Sequence, residues 1–459
     1  MKNRIRNNIF LLFALIAIGF SSCDDYLDVK PKGQVIPTRA IEFREMLTKA
    51  YSNFPNSRGL VAIASDEMDL KTGDSEGLYD YRNIYQWDQN AGGAESDLGY
   101  LPMYKTIFYC NYILENIDDA IEGTQEEIDQ TKGETYLLRA YSHFILSNIF
   151  GDQYQPGTND QLRTAPLVTL VDLDVNPFPS TLKAMNDSII ADINKGKKLM
   201  SVDKQEEAVL RYRFSLNAAN AFEARFYLYT GQWALALDAA QKVINNEAYS
   251  LVNFASFGDD DVLPTHFESS ESILALEKTC DFKIHSAVVA SSALTDAFDR
   301  TNDMRFSKYL KYDYDASGYK FSGNKVSYDQ FKTTFRLSEL YLTAAEAAFN
   351  LKDFDASKSF LKSLIEKRYT TETVEAEKAI IDNLSETDLK TRVFNERFKE
   401  LCAEGHRWFD LKRMGKPSIT HIVKETSEVS KEFILNENDA RYVIPFPNEV
   451  VQNNPNLNN

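Results

Sequence analysis

Cysteine is scarce, with four residues in a chain of 459: Cys23, Cys110, Cys280 and Cys402. No disulfide framework can carry a fold of this size, so a hydrophobic core must. Proline and glycine, at 13 and 19, are too few for a collagenous or low-complexity chain. Basic residues are in deficit, 51 against 68 acidic ones, for a formal net charge of −17. That balance excludes the electropositive footprint that nucleic-acid binding needs, and it favours neutral or cationic ligands over polyanions. The five histidines have neither H-x-x-x-H nor H-E-x-x-H spacing, so no zinc site is indicated. There is no P-loop and no dinucleotide fingerprint, and no cofactor is expected. After the first two dozen residues no stretch is long and apolar enough for a membrane span.

The start of the chain carries an address. Lys2, Arg4 and Arg6 precede an apolar run from Ile9 to Phe20, and Ser21, Ser22 and Cys23 follow. The run is shorter than the ~20 residues of a spanning helix, but it fits the core of a secretory signal. A small residue directly before a cysteine at this place resembles the lipobox of bacterial lipoproteins. Residues 1–22 are therefore expected to be a lipoprotein signal peptide, and Cys23 the lipidated first residue of a unit spanning 23–459. Multiple acyl chains tether firmly. The remaining three cysteines are expected to be buried, inert thiols.

Helical periodicity opens near Thr38 and runs through Phe43, Met46, Leu47, Ala50 and Tyr51. It returns in Met103 to Ile121, Glu126 to Phe150 and around 181–200. The clearest unit is Leu216 to Asn245, where Ala218, Ala219, Ala221 and Ala224 precede a turn at Gly231 and Trp233, Ala236, Ala239 and Ala240 follow it. A second copy sits 121 positions on, with Ala224 matching Ala345, Trp233 matching Phe354 and Ile244 matching Ile365. Small side chains let paired helices approach closely while aromatics fill the groove to the next pair, which is the logic of a tetratricopeptide hairpin. The expected class is all-α, a stack of such pairs with long aromatic, irregular insertions at about 66–101 and 251–328. Lys416 to Asn459 shows no strong helical period.

Two motifs suggest chemistry and neither has its context. Gly73-Asp74-Ser75-Glu76-Gly77 matches G-x-S-x-G, but charged Asp66, Glu67, Asp69 and Lys71 stand where a buried strand should precede the serine. Glu396, Glu400 and Glu404 recur at helical spacing, interleaved with Arg397, Arg407 and Arg413. This reads as an ion-pair network joining a helix to the turn after Gly405, not as a catalytic carboxyl pair in a cleft. What remains is aromatic. Tyr79, Tyr81, Tyr85 and Trp87 fall within a loop that also carries Asp66, Arg82, Asp88 and Asn90. Flat rings stack on the C–H face of a sugar while polar neighbours bond its hydroxyls. Trp87, Tyr79 and Tyr85 are the expected stacking surface, Asp66, Asp88 and Asn90 the expected hydroxyl partners, and Tyr312 and Tyr314 a second set.

Four segments resemble one family. They are Cys23-Asp24-Asp25-Tyr26-Leu27-Asp28 with Pro31; Arg139-Ala140-Tyr141 with Phe144 and Phe150-Gly151-Asp152; Glu396-Arg397, Glu400-Leu401, Glu404-Gly405, Arg407-Trp408-Phe409-Asp410-Leu411 and Arg413; and Pro445-Phe446-Pro447, Glu449 and Asn454-Pro455-Asn456-Leu457. Together they resemble the SusD/RagB family of surface nutrient-binding lipoproteins. The resemblance implies a right-handed tetratricopeptide superhelix of four helix pairs, attachment to the outer membrane through the lipid anchor and facing outward, and partnership with a SusC-like TonB-dependent transporter. It also implies non-catalytic capture of oligosaccharides, or of peptides in some relatives. A surface hydrolase is the remaining alternative.

Overall fold

A computed structural model describes residues 36–458 apart from 72–75, 89–97, 173, 259–260, 279, 281, 317, 324, 326–328 and 425–429. The expected signal segment and Cys23 lie outside the described residues, as does most of the G-x-S-x-G stretch. The fold is mostly helical and tetratricopeptide-like.

The first half is built from α1 (Ala40–Ser52), α2 (Ser57–Ala62), strand β1 (Met68–Leu70), α3 (Glu76–Tyr85), α4 (Tyr100–Asn116), α5 (Gln125–Phe150), β2 (Arg163–Thr164), β3 (Ser180–Thr181) and α6 (Leu182–Leu199). α1 starts two residues beyond Thr38, and the Glu42 carboxylate accepts the orphan backbone N–H groups of Thr38 and Arg39. α5 packs on α4 and α6. Gly133 and Gly196 let α5 and α6 meet: a Cβ on Gly133 would stand 2.9 Å from the Gly196 carbonyl oxygen. Arg139 then closes the contact by donating to both carboxylate oxygens of Asp192, at 2.8 and 2.9 Å.

The two expected hairpins form. α7 (Leu216–Tyr229) and α8 (Trp233–Ile244) pair, and so do α12 (Leu337–Asn350) and α13 (Phe354–Ile365), with α8 packed on α12. Ala218, Ala219, Ala221, Ala224, Ala236, Ala239 and Ala240 of the first copy and Ala344, Ala345, Ala347 and Ala348 of the second are buried. Arg225 on α7 donates 2.6 Å bonds to both oxygens of Glu339 on α12, locking one repeat to the next.

The insertions are more regular than the sequence suggests. Between the repeats lie β4 (Ser272–Leu274), α9 (Phe282–Ala287), β5 (Val288–Ala290), α10 (Ser292–Asp296), α11 (Met304–Tyr309), β6 (Leu310–Asp313), β7 (Gly318–Phe321) and β8 (Phe335–Arg336). α14 (Val374–Asp382), α15 (Glu386–Glu400) and α16 (Arg407–Arg413) follow, then β9 (Ile419–Lys424), β10 (Ser430–Leu435) and α17 (Asn448–Asn453). The strands form two-stranded antiparallel pairs, β1 with β5, β2 with β3, β4 with β8, β6 with β7 and β9 with β10. Both insertions thus meet across β1 and β5, and the C-terminal segment without helical period holds the β9–β10 pair followed by the short helix α17.

The glutamate stripe of α15 is a buried network, not a solvated face. Its partners come mostly from elsewhere in the chain: Arg305 for Glu396, Arg305, Arg336 and Arg368 for Glu400, and Arg336 and Lys325 for Glu404. The interleaved arginines join α15 to α16 as expected for Arg397 with Asp410, while Arg413 takes Glu346 as well as Asp410 and Arg407 takes Asp66. Cys110, Cys280 and Cys402 are buried. Burial pushes the Cys110 and Cys402 thiols up to about 12, out of the reactive range.

Candidate functional site

The first insertion does not display Tyr85 or Trp87. α3 delivers Tyr85 and the turn after it delivers Trp87, whose φ of 52° is left-handed. β9 runs past this turn and inserts His421 between the two rings. The Tyr85 and Trp87 centroids lie 3.9 and 4.2 Å from the imidazole, both nearly parallel to it. Trp87 is 5% exposed, and its indole N–H donates to the Ala64 carbonyl at 2.9 Å. Tyr85 is fully buried and its hydroxyl donates to Asp69 at 2.9 Å. The expectation that these rings stack on a sugar is therefore corrected, because their faces are already occupied by a histidine from the far end of the chain. Burial lowers the His421 pKa, although its two ring nitrogens sit 2.6 and 2.9 Å from the carbonyl oxygens of Tyr85 and Ser65.

Asp66 is also committed elsewhere. Both of its carboxylate oxygens accept from Arg407, at 2.6 and 2.7 Å, and Arg407 lies over the Phe398 ring at 3.9 Å. Asp88 stands exposed on the rim of a hollow of about 340 Å³ that the edge of Trp87 and Arg441 also line. Asn90 lies outside the described residues, and so does the side chain of Tyr79, whose backbone belongs to α3.

The second set of rings is displayed. In the β6–β7 hairpin Leu310 faces Phe321, Lys311 faces Lys320 and Tyr312 faces Tyr319. With side chains alternating along each strand, Leu310, Tyr312, Tyr319 and Phe321 share one face. Leu310 and Phe321 are buried, and Tyr319 meets Phe306 of α11 at 4.9 Å edge to face. Tyr312 follows at 5.2 Å from Tyr319, and Tyr314 at 5.1 Å from Tyr312, both edge-on. The ladder runs from the core into solvent, with Tyr312 45% and Tyr314 86% exposed. Such contacts fix ring orientation, each adding ~0.5–1.5 kcal/mol beyond burial.

A hollow of about 550 Å³ opens beside the two exposed rings, lined also by His285, Lys311, Asp313 and Lys320. Lys320 pairs with Asp313. Lys71, brought close by the β1–β5 pairing, donates to the Ser286 carbonyl, and burial together with the Lys320 ammonium pushes it down to about 8. His285 Nε2 lies 2.7 Å from the Phe321 carbonyl oxygen, and burial lowers its pKa. The hollow thus combines two flat apolar faces with carboxylate acceptors and ammonium donors. Sequence reasoning missed His285, which α9 of the same insertion brings to the hollow. The anchoring role of Tyr319 was readable from the alternation around Gly318.

Helix pairs stacked through alanines and carrying small β lobes define a tetratricopeptide-like binding scaffold. Residues 25–228 match a family described as "Starch-binding associating with outer membrane", and residues 223–459 match the SusD family. The chain belongs to the SusD family. SusD-like protein P25 of Formosa agariphila is 22% identical, with 89% of each chain covered. A SusD superfamily protein from Bacteroides thetaiotaomicron has the same fold, with a TM-score of 0.74 at 18% identity over 91% of this chain and 98% of that one. A solved laminarin-binding SusD-like protein gives 0.64 at 17% identity, covering 90% and 98%. Among the described residues no helix is long and apolar enough to cross a membrane.

Proposed function

We propose that this protein captures oligosaccharides at the cell surface and hands them to a SusC-like TonB-dependent transporter, without cleaving them. The observation that carries the reading is the tyrosine ladder, which packs half-buried Tyr319 on Phe306 and leads edge to edge to Tyr312 and Tyr314, exposed beside a hollow rich in hydrogen-bonding groups. Exposed rings held in place bind sugar faces at low entropic cost. The family description as starch-binding and outer-membrane-associated, and a laminarin-binding relative of the same fold, support the ligand class. A lipid anchor at Cys23 would keep the protein beside its transporter. The non-catalytic reading is supported by the glutamate stripe, in which each carboxylate is held ionised by buried guanidinium or ammonium groups and is unsuited to proton transfer.

The test is calorimetric titration with laminari-, malto-, cello- and xylo-oligosaccharides. Replacing both Tyr312 and Tyr314 by alanine is expected to weaken binding at least ~tenfold, about two ring contacts, with the protein still folding cooperatively and losing no more than ~1–3 kcal/mol of stability. Equal affinity in the double variant, or binding to none of the sugars, would remove the reading.

A further inference from the structure

A second hollow, of about 630 Å³, lies on the repeat side of the molecule. Its walls come from the α7–α8 turn, the end of α12, α15, the end of α16 and the strand-free segment after α5, none of which borders the hairpin hollow. Its volume is in the usual range for small-ligand sites.

Three half-buried rings, Tyr154, Trp233 and Phe394, face this space together with polar groups. Arg413 stiffens one wall. It lies 5.7 Å from the Tyr229 ring and 5.9 Å from the Phe394 ring, and it is neutralised by Glu346 and Asp410. Lys390 stands exposed on the rim with no carboxylate partner among the described residues.

The observation that points to a ligand is Gln153. It is 6% exposed, and its amide nitrogen donates to the Tyr229 carbonyl and reaches the Tyr154 carbonyl at 3.5 Å. Because both neighbours are acceptors, the nitrogen must occupy that position. The carboxamide oxygen is left on the other side, where it accepts from no group among the described residues. A buried acceptor left unpaired costs ~1–3 kcal/mol; the oxygen is shielded as the wall stands, and a small turn of the carboxamide toward the hollow that Gln153 lines lets a ligand hydroxyl recover that cost.

We infer that this hollow is a second saccharide site, in which Trp233, Phe394 and Tyr154 contact sugar C–H faces, Gln153 accepts from a hydroxyl and Lys390 donates to one. The ligand class is shared with the capture reading above, while the residues are separate. An oligosaccharide could therefore be held at two stations on one molecule.

The chain contains three tryptophans, and among them Trp233 alone lines this hollow. Full-length mature protein labelled with 5-fluorotryptophan therefore reports on the site by fluorine NMR, with the Trp233 resonance assigned by its loss in Trp233→Phe. Titration with laminari-, malto-, cello- and xylohexaose at millimolar concentration is expected to move that resonance saturably for at least one sugar. Phe394→Ala and Gln153→Ala should each weaken the effect about tenfold, and the Tyr312/Tyr314 double alanine variant should leave it unchanged. A Trp233 resonance that ignores every sugar overturns the inference, as does a shift that survives both Phe394→Ala and Gln153→Ala. A shift abolished by the hairpin variant overturns it too, while leaving the capture reading intact. A Trp233 shift without any effect of the hairpin variant on total binding would sustain this site and remove the hairpin one.

Discussion

Arg336 holds Glu400 and Glu404 with one guanidinium. Its Nη1 donates to Glu400 at 2.7 Å, and its Nε and Nη2 donate to the two oxygens of Glu404 at 2.8 and 2.9 Å. Arg336 closes β8 and immediately precedes α12, so this contact ties the second repeat to the end of α15. Arg368, at the end of the α13 turn, completes the clamp by reaching Glu400 and Glu271.

Removing one member of this clamp leaves buried carboxylates uncompensated, which costs ~3–5 kcal/mol. Arg336→Met is expected to lower the unfolding free energy measured in urea by that amount, or to prevent folding. Lys352→Ala, which breaks an exposed pair with Glu386, should change stability by less than ~1 kcal/mol. Burial pushes Glu404 up, but Arg336 and Lys325 outweigh it and hold the carboxyl below its usual range. Its stabilising contribution is therefore present above the ordinary carboxylate pKa and lost as pH falls through the depressed one. Acid unfolding should accordingly begin at higher pH in Lys325→Met than in wild type.

The helical frame was legible because its cause is local. Alanines at helical spacing, a turn and an aromatic offset recur within thirty-odd residues, and both hairpins follow. The fate of Trp87 was illegible because it depends on His421, which bonds Tyr85 from 336 positions away. Nothing near Trp87 distinguishes a ring awaiting a sugar from one awaiting an imidazole. The glutamate spacing was equally plain, yet Arg305, Arg336, Arg368 and Lys325 reach it from separate elements, so the network expected between a helix and the turn after Gly405 is a buried one fed mostly from elsewhere in the chain. The β6–β7 alternation lay between these cases: Leu310, Tyr312, Tyr319 and Phe321 alternate with lysines and aspartates as a half-buried strand pair does, but the runs are only four residues each.

Because Trp87 packs on His421 and bonds the Ala64 carbonyl, Trp87→Ala is expected to act on stability. Large aromatic truncations in cores cost ~3–5 kcal/mol, and urea unfolding should show a loss of that order. Sugar affinity measured on the folded fraction should stay within about twofold of wild type. A large loss of affinity at undiminished stability would instead return Trp87 to the binding surface.

Gly405 makes the turn between α15 and α16 with φ of +71°, and a Cβ there would stand 2.5 Å from the Arg58 Cβ and 2.8 Å from its carbonyl carbon. Arg58 cannot yield, since its guanidinium is buried against Glu277 and donates to the Thr333 carbonyl at 2.9 Å. Gly405→Ala thus combines left-handed strain with overpacking and should cost at least ~2 kcal/mol. Chemical denaturation measures this directly, and a near-neutral result would mean that the α2–α16 contact is looser than described.

Glu67 gives the pH dependence its clearest signature. Burial, with Asp66 adding to it, pushes this carboxyl up to about 8 against the Ala403 N–H bond that favours ionisation. One of its oxygens has no partner among the described residues, as suits a neutral acid. Between the ordinary carboxylate pKa and about 8 the folded protein therefore holds one proton more than the unfolded chain, so this group makes stability fall as pH rises, by ~1.4 kcal/mol per unit. Glu67→Gln mimics the protonated form and should remove that slope. Wild type and variant are expected to unfold at similar urea concentrations near pH 4.5, with the variant increasingly the more stable up to pH 8 and the gap constant beyond it. Parallel curves across the whole range would mean that Glu67 is ionised in the folded protein.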